Sequence, residues 1–252
     1  MNINWDVKGY SDNFSFVHEY GEDVLGLITA QSGGFAVDLG CGNGALSKKL
    51  CDRGYDVLGI DASADMIAAA KKMNPDINFM VADAADFTLD KKADVIFSNA
   101  VLHWIDADKQ ENVISNISEQ LKTGGQFVCE FGGKGCGEAV HKALENSFEK
   151  RGLVYERIFY FPTIGEYTPL LEKYGLRVVY ASLFNRPTEQ KGDNGLENWI
   201  KMFVKKPFEN LDNDVENAII AEAVEALKNT LYKNGKWFVD YVRIRIKAKK
   251  AI

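Results

Sequence analysis

The sequence predicts an α/β protein built on a doubly wound, largely parallel sheet, and three observations lead to that fold class. Short apolar runs alternate with helical segments from residue 35 to residue 131, which is the pattern of repeated β-α units. Several of these apolar runs end at an aspartate or an asparagine. The first run is also followed by glycines at three alternate positions. Because ligands of such sheets bind beyond the carboxyl ends of the strands, these positions together predict one site.

Each β-α unit in the first half carries its own start or stop signal. The apolar runs that we predict as strands cover residues 35–39, 55–60, 77–81, 93–98 and 126–131. The intervening helices are predicted over residues 44–53, 63–72 and 109–121. Gly54 follows the first helix at the C′ position, Ser63 is placed to cap the second, and Gly124 with Gly125 stops the third.

The pattern changes after residue 133, where helices outnumber strands. Helices are predicted over residues 138–150, 164–174, 196–204 and 215–231, and strands over residues 176–184 and 237–247. The last strand alternates apolar with basic residues. Arg186 and Pro187 are predicted to lie in a loop after the sixth strand. The C-terminal residues 247–250, three of which are lysines, are predicted to form a solvated tail. We expect one domain with a lid.

Composition excludes several classes of protein. The chain of 252 residues is 46% hydrophobic and 26% charged, as is usual for a globular protein. Its net charge of -6 disfavours a broad nucleic-acid surface. No apolar run approaches the roughly 20 residues of a membrane span, and no signal-peptide pattern precedes the domain, so we expect a cytoplasmic protein. The four cysteines and three histidines show no metal-ligand spacing, and the thiols are expected to be free and buried.

The glycine-rich turn after the first strand indicates the kind of ligand. Gly40, Gly42 and Gly44 follow Asp38 in the pattern D-x-G-x-G-x-G, and a helix begins directly after them. A strand, a glycine turn and a helix N-terminus predict a cleft with free backbone N–H groups. A dinucleotide site uses G-x-G-x-x-G, so the third glycine here comes too early. A carboxylate at position 38 would repel a pyrophosphate but suits the ammonium of an amino-acid ligand.

This motif resembles the first motif of the class I S-adenosylmethionine-dependent methyltransferases. The resemblance implies a Rossmann-like sheet of seven mostly parallel strands with the last one antiparallel, S-adenosylmethionine as cofactor and S-adenosylhomocysteine as product. It also implies a division of the single domain 1–252. Residues 1–30 would form an N-terminal helical cap, residues 31–134 the cofactor-binding half, and residues 135–174 and 185–235 a lid with substrate elements.

The same resemblance assigns cofactor contacts to the strand ends. Asp61 comes about twenty residues after the glycine turn and is expected to accept the two ribose hydroxyls, although a nicotinamide enzyme would use it similarly. Asp83 is expected to take the adenine amino group, with the backbone N–H of Ala84 on a ring nitrogen. The full set of predicted cofactor-binding residues is Asp38, Gly40, Cys41, Gly42, Gly44, Asp61, Ala62, Met66, Asp83, Ala84 and Asn99.

The segment after the fourth strand, residues 98–104, faces the methyl group in this family and bears on the acceptor. It lacks the Asn/Asp-Pro-Pro-aromatic sequence of enzymes that methylate nucleobases. It is similar instead to the small-molecule branch, in particular trans-aconitate methyltransferase and the malonyl-carrier-protein methyltransferases. Similarity to the aconitate-type enzymes also covers residues 15–17, 20–21, 161–162 and 186–188. The acceptor is therefore expected to be a small molecule, with a carboxylate as one candidate.

The predicted substrate-binding residues are Tyr10, Phe14, His18, His103, Trp104 and Arg186. His103 could act as a general base, but its favoured role is to line the pocket or orient a substrate oxygen, since a carboxylate or thiolate acceptor has no proton to remove. Trp104 could pack in the core or face the sulfonium. Arg186 is the preferred receptor for an acceptor carboxylate, with Arg157 and Lys134 as other candidates.

Two other functions stay open from the sequence. A nicotinamide oxidoreductase is disfavoured by the position of the third glycine. A non-catalytic protein that binds S-adenosylmethionine or a protein partner could keep the same glycine turn, because a fold does not establish an activity. We expect a monomer or homodimer that binds a small molecule, no nucleic acid and no membrane.

Overall fold

The computed structural model describes residues 16–251, with side chains described from residue 21 onward. Its strands are β1 (Phe35–Leu39), β2 (Asp56–Asp61), β3 (Asn78–Val81), β4 (Ala93–Asn99), β5 (Leu121–Gly132), β6 (Leu176–Gln190), β7 (Tyr232–Lys233) and β8 (Lys236–Lys250). Its α-helices are α1 (Phe16–Leu25), α2 (Ala45–Asp52), α3 (Ala64–Met73), α4 (Gln110–Gln120), α5 (Glu138–Glu149), α6 (Ile164–Lys173), α7 (Gly195–Phe203) and α8 (Asn213–Leu231). Within these residues, no helix is long and apolar enough to cross a bilayer.

The strands form one sheet in the order β3-β2-β1-β4-β5-β8-β6, with β7 paired to β8 outside this path. Strands β1 to β5 are parallel, whereas β8 runs antiparallel to both β5 and β6. The predicted fold class is thus confirmed, including the antiparallel last strand. The short β7 was missed. It forms a hairpin with β8 through Asn234 and Gly235, both of which have positive φ, as a two-residue turn of this kind requires.

The C-terminal strands are longer than the sequence pattern predicts. Arg186 and Pro187 lie inside β6 instead of in a loop, and Lys247–Lys250 belong to β8 instead of to a solvated tail. Pro187 is tolerated because β6 is an edge strand, where a missing N–H breaks no ladder on the open side. β5 starts at Leu121, five residues before its predicted start, with a register shift along its pairing with β4.

Separate apolar clusters pack on the two faces of the sheet and among the helices that follow β5. One cluster joins α1 and α2 to one face of β1 and β4, and another joins α4 and α6 to the opposite face. A third cluster lies between α5, α7 and α8 and the first half of β8. It includes Val140, Leu144, Ile200 and Ile219, all fully buried. The division into cap, cofactor-binding half and lid stays a prediction.

Candidate functional site

The turn between β1 and α2 has the backbone that its glycines predict. Gly40, Gly42 and Gly44 all have positive φ, at 77°, 54° and 81°. A Cβ at Gly40 would stand 2.2 Å from a methyl carbon of Val101, so a glycine is needed there for the two segments to touch. Gly44 is the N-cap residue of α2 in the left-handed conformation. The turn therefore holds residue 101 directly against the end of β1.

The backbone N–H groups of this turn are not free, contrary to the prediction. The amides of Gly40 and Cys41 both donate to the carbonyl oxygen of Ile60, at 2.7 and 2.9 Å. The amide of Gly42 donates to Asp61 Oδ2 at 3.0 Å, and that of Gly44 donates to the carbonyl of Cys41. The turn is tied to the end of β2 by these bonds. Its role is to shape the site and to fix Asp61.

Asp61 is the best-anchored carboxylate at the strand ends. It is buried, and its Oδ1 also accepts from the amide of Ser63 at 2.9 Å. Burial raises its pKa, while the two backbone hydrogen bonds act in the opposite direction. Each carboxylate oxygen has lone pairs beyond the one bond that fixes it. Asp61 can thus accept two further hydrogen bonds from a ligand in the adjoining cavity.

That cavity, which we call the strand-end cavity, has a volume of about 450 Å³. It is lined by Leu39, Gly40, Ile60, Asp61, Ala62, Ala82, Asp83, Ala84, Val101, Ile105, Asp106 and Lys109. Three alanines and two isoleucines give it apolar walls, and two of the predicted carboxylates stand at its rim. Asp83 Oδ1 accepts from the amide of Ala85 at 2.9 Å, which fixes the loop after β3. An apolar slot with carboxylates at its edge suits a flat heterocycle that carries hydroxyl and amino donors.

The other predicted cofactor residues lie around this cavity instead of on its wall. Cys41 is buried within the turn, and Met66 is buried at the start of α3, where its amide donates to the capping Ser63 hydroxyl. Asn99 is half-buried at the end of β4. All these contacts to a cofactor, including those of Gly42 and Gly44, stay predictions.

Asp38 lies beneath the turn with its side chain 2% exposed. Its Oδ2 accepts from the Ser47 hydroxyl at 2.6 Å, which links β1 to α2. Burial raises the pKa of Asp38 to about 7, despite the opposing effect of the Ser47 hydrogen bond. This carboxylate therefore titrates near neutral pH in the protein without ligand, and a cation placed beside it would favour its ionised form.

This raised pKa predicts a pH-dependent stability. The native pKa of about 7 exceeds the unfolded value, so the native state binds more protons between these two values and stability falls as the pH rises through this window. Replacing Asp38 with Asn removes the titration and keeps an acceptor for Ser47. We expect Asp38→Asn to be more stable than the original protein at pH 8 by on the order of 2–4 kcal/mol, with the difference vanishing near pH 4. Thermal unfolding across this pH range checks it, and a constant difference would contradict it.

A second cavity lies on the other side of residues 100 and 101, and we call it the aromatic cavity. It has a volume of about 500 Å³ and is lined by Ala100, His103, Trp104, Cys136, Gly137, His141, Phe159, Phe161, Trp199, Phe203, Tyr241 and Arg243. Ala100 lines this cavity and the adjacent Val101 lines the strand-end cavity, so the two cavities are neighbours just beyond the end of β4. Ala100 has a φ of 60°, a strained value for a residue with a Cβ. Of the predicted substrate residues, the aromatic cavity brings together His103 and Trp104.

His103 is held in a defined tautomer at the wall of this cavity. Its Nδ1 accepts from the backbone amide of Gly132 at 3.2 Å, so the proton of the neutral ring is on Nε2. Burial, with a smaller contribution from the charge of Arg243, lowers the pKa of His103 well below its usual value. A neutral imidazole with Nε2–H donates a hydrogen bond. This geometry favours the predicted role of orienting a substrate oxygen over that of a general base.

Paired polar groups hold the aromatic walls in place. The indole N–H of Trp199 donates to the Tyr241 hydroxyl at 2.6 Å, and His141 Nδ1 lies 2.6 Å from the Tyr155 hydroxyl. Burial lowers the pKa of His141 to about 4, so both histidines of the cavity are neutral at pH 7. The rings of Phe159 and Phe161 stack with centroids 5.2 Å apart. These residues were not predicted from the sequence, since they come from segments that are far apart in the chain and meet only in the folded protein.

The remaining predicted substrate residues are Tyr10, Phe14, His18 and Arg186. Tyr10 and Phe14 fall outside the described residues, as does the side chain of His18. Arg186 lies in β6, where its Nη1 and Nη2 are 2.5 and 3.1 Å from the carboxylate of Glu130. Arg157 pairs with Glu138 and Glu145. A substrate role for Arg186 stays a prediction, and in this structure its charge is engaged by a buried carboxylate.

The sequence of this chain is similar to those of known methyltransferases. Residues 36–125 match the family model described as a methyltransferase domain. An uncharacterized methyltransferase of Schizosaccharomyces pombe is 31% identical and is covered over 98% of both chains. A trans-aconitate 2-methyltransferase of Rhizobium etli is 26% identical over 90% of this chain and 92% of its own. A malonyl-[acyl-carrier protein] O-methyltransferase of Ilyobacter polytropus is 30% identical over 53% of this chain and 52% of its own.

Solved structures share the same fold at lower identity. One of them is a phosphoethanolamine N-methyltransferase 2 of Haemonchus contortus, in complex with phosphomonomethylethanolamine and S-adenosylhomocysteine. It superimposes on this chain with a TM-score of 0.62. It is 15% identical and covers 98% of this chain and 57% of its own. A geranyl diphosphate methyltransferase in complex with SAM gives a TM-score of 0.58 at 16% identity, over 93% of this chain and 85% of its own.

Proposed function

Because this chain belongs to the class I S-adenosylmethionine-dependent methyltransferases, we propose that it transfers a methyl group from S-adenosylmethionine to a small-molecule acceptor. One observation carries the proposal. The adjacent residues Ala100 and Val101 line two cavities of different chemistry, one walled by aromatic rings and the other edged by carboxylates. Such an arrangement can hold two reactants side by side and exclude water from the contact between them.

The strand-end cavity fits the nucleoside part of the cofactor. Asp61 would accept the two ribose hydroxyls, since both of its oxygens are already fixed from behind by backbone amides. Adenine would lie between the apolar walls, with its amino group on Asp83 and a ring nitrogen on the amide of Ala84. The ammonium of the cofactor would lie near Asp38 and favour its ionised form. These assignments are the ones that the family resemblance implies, and the chemistry of the residues present is compatible with them.

The chain itself would position the acceptor and shield it. When bound, the cofactor supplies a methyl group on a cationic sulfur, so an in-line attack by the acceptor forms the new bond while the carbon–sulfur bond breaks and leaves its electron pair on sulfur. His103 would donate its Nε2–H to an acceptor oxygen. Trp104 and Phe159, whose rings meet edge to face at 4.7 Å, would cover the acceptor and keep water out. No residue is required to remove a proton if the acceptor is an anion.

The acceptor that we propose is a carboxylic acid, which would undergo O-methylation. Two relatives are a trans-aconitate 2-methyltransferase and a malonyl-[acyl-carrier protein] O-methyltransferase, whose names both denote carboxylic substrates. The alternative is a protein that binds the cofactor without catalysis. A monomeric or homodimeric state, a cytoplasmic location and the absence of nucleic-acid binding stay predictions.

Calorimetric titration with S-adenosylmethionine, S-adenosylhomocysteine and NAD tests the cofactor, followed by product analysis on a panel of small carboxylic acids. We expect micromolar binding of the first two compounds, no binding of NAD, and a methyl ester from at least one acid. Binding of NAD alone, or of none of the three, would overturn the proposal. Cofactor binding with no transfer to any acid or other small molecule would instead favour the non-catalytic alternative.

A further inference from the structure

Arg243 is a buried cation that has no hydrogen-bonded partner in the described part of the chain. It lies in the middle of β8, where its backbone pairs with Gly132 of β5 and Phe184 of β6. The residue is 7% exposed, and its Nε is buried without an acceptor. The guanidinium carbon lies 4.5 Å from the centre of the Tyr241 ring. A buried guanidinium in this condition is costly, because a charge removed from water needs a counter-charge and acceptors.

The two neighbouring arginines differ from Arg243 in this respect. Arg186 and Arg245 both bind the carboxylate of Glu130, which is only 3% exposed. Among the described residues no ion pair joins Arg243 to any carboxylate. Asp240, three residues earlier, instead accepts from the backbone amide of Ala139 at 2.9 Å through Oδ2. The described part of the chain therefore supplies one buried carboxylate for two of these arginines and none for the third.

The surroundings of Arg243 show where the missing anion would come from. Its side chain lines the aromatic cavity, whose walls are otherwise aromatic rings, two neutral histidines, the Cys136 thiol and small residues. No carboxylate lines this cavity among the described residues. A cationic acceptor would be repelled by Arg243 and would find no anion on the walls. An anionic acceptor would supply both the counter-charge and the acceptor atoms that the guanidinium lacks.

We propose that Arg243 binds a carboxylate of the acceptor and restricts the substrates to carboxylic acids with a flat or apolar body. The inference rests on the proposed function only in taking the aromatic cavity as the acceptor site. It assigns the recognition of the anion to Arg243, whose guanidinium pairs with no carboxylate of the described residues, in preference to Arg186, whose guanidinium is bound to Glu130. The carboxylate would bind the guanidinium while aromatic faces such as those of Phe159 and Trp104 contact the body of the acid.

A matched ligand series tests this with the unaltered protein. Phenylacetate, phenylacetamide and phenethylamine share one aromatic body and differ in the charge of one group. In the presence of saturating S-adenosylhomocysteine, we expect phenylacetate to bind at least about 10-fold more tightly than the amide, and the amine not to bind, as a charged hydrogen bond is stronger than a neutral one. Equal binding of all three, or preference for the amine, would overturn the proposal.

Variants separate recognition from folding and from cofactor binding. Arg243→Met is expected to weaken phenylacetate binding by about 30-fold or more, to leave S-adenosylhomocysteine binding unchanged, and to raise the melting temperature because an unpaired buried charge is removed. Arg177→Met, which changes an exposed arginine of β6, should alter neither ligand affinity. Unchanged phenylacetate binding in Arg243→Met would overturn the proposal. If the unaltered protein does not bind S-adenosylhomocysteine, the proposed function is wrong instead.

Discussion

Replacing Glu130 with alanine is expected to lower the free energy of unfolding by about 3–5 kcal/mol, the cost of breaking a buried ion pair from one side. Glu130 Oε1 lies 2.5 Å from Arg186, and Oε2 lies 2.6 Å from Arg245. The three side chains are between 3% and 14% exposed. Without this carboxylate, two guanidinium groups would remain largely buried with no anion between them. Urea unfolding of the two proteins measures the difference.

An exposed pair between the neighbouring strands β6 and β8 provides the control. Glu189 of β6 lies 2.9 Å from Lys236 of β8, and the two side chains are 44% and 55% exposed. Because water solvates and screens such a pair, Glu189→Ala should cost at most about 1 kcal/mol. Similar costs for the two substitutions would show that burial does not set the strength of the Glu130 cluster.

Replacing Asp61 with alanine is expected to weaken binding of S-adenosylmethionine and S-adenosylhomocysteine by about 100-fold or more, which corresponds to about 3 kcal/mol. The variant removes both acceptors for the ribose hydroxyls. It also frees the amides of Gly42 and Ser63, which now fix the glycine turn. Calorimetric titration with both compounds gives the affinities, and a circular dichroism spectrum shows whether the variant is folded.

Asp56 offers a matched control at the opposite end of the same strand. It is an exposed carboxylate that pairs with Lys91 at 2.8 Å, far from the cavities. Asp56→Ala should leave both affinities unchanged. If Asp61→Ala binds the two compounds as tightly as Asp56→Ala does, Asp61 is not the ribose acceptor and the placement of the nucleoside must be revised.

The run of parallel strands from β1 to β5 is the part of the fold that the sequence predicts best. Its strands are short apolar runs buried between two layers of helices, so their apolar pattern is local and readable. The carboxylate positions follow from topology alone, because parallel strands place their last residues at one edge. Asp61 and Asp83 could therefore be assigned to one cavity without coordinates.

The aromatic cavity could not be predicted in the same way. Its walls come from the segments after β4 and β5, the stretch before α6, α7, and β8, which are far apart in the chain. Alternation along β8 does put Arg243 on one face with Arg245, but only the neighbouring strands reveal which of them meets Glu130. The predicted placement of Arg186 in a loop was wrong for that reason, whereas its substrate role stays a prediction. Its pairing partner lies 56 residues away, and a strand extending through Pro187 looks like a loop in the sequence.

The position of β8 between β5 and β6 has a kinetic consequence. Among the described strands β6 pairs only with β8, which follows it in the chain, so β6 can join the sheet only through β8 and not before it. Closing that contact brings together residues such as Glu130 and Arg245, which are 115 positions apart. Contacts of such long range are slow to form, because much chain entropy is lost before they stabilise the fold. Insertion of β8 is therefore expected to limit the rate of folding, and acceptor recognition would be the last property that a refolding chain regains.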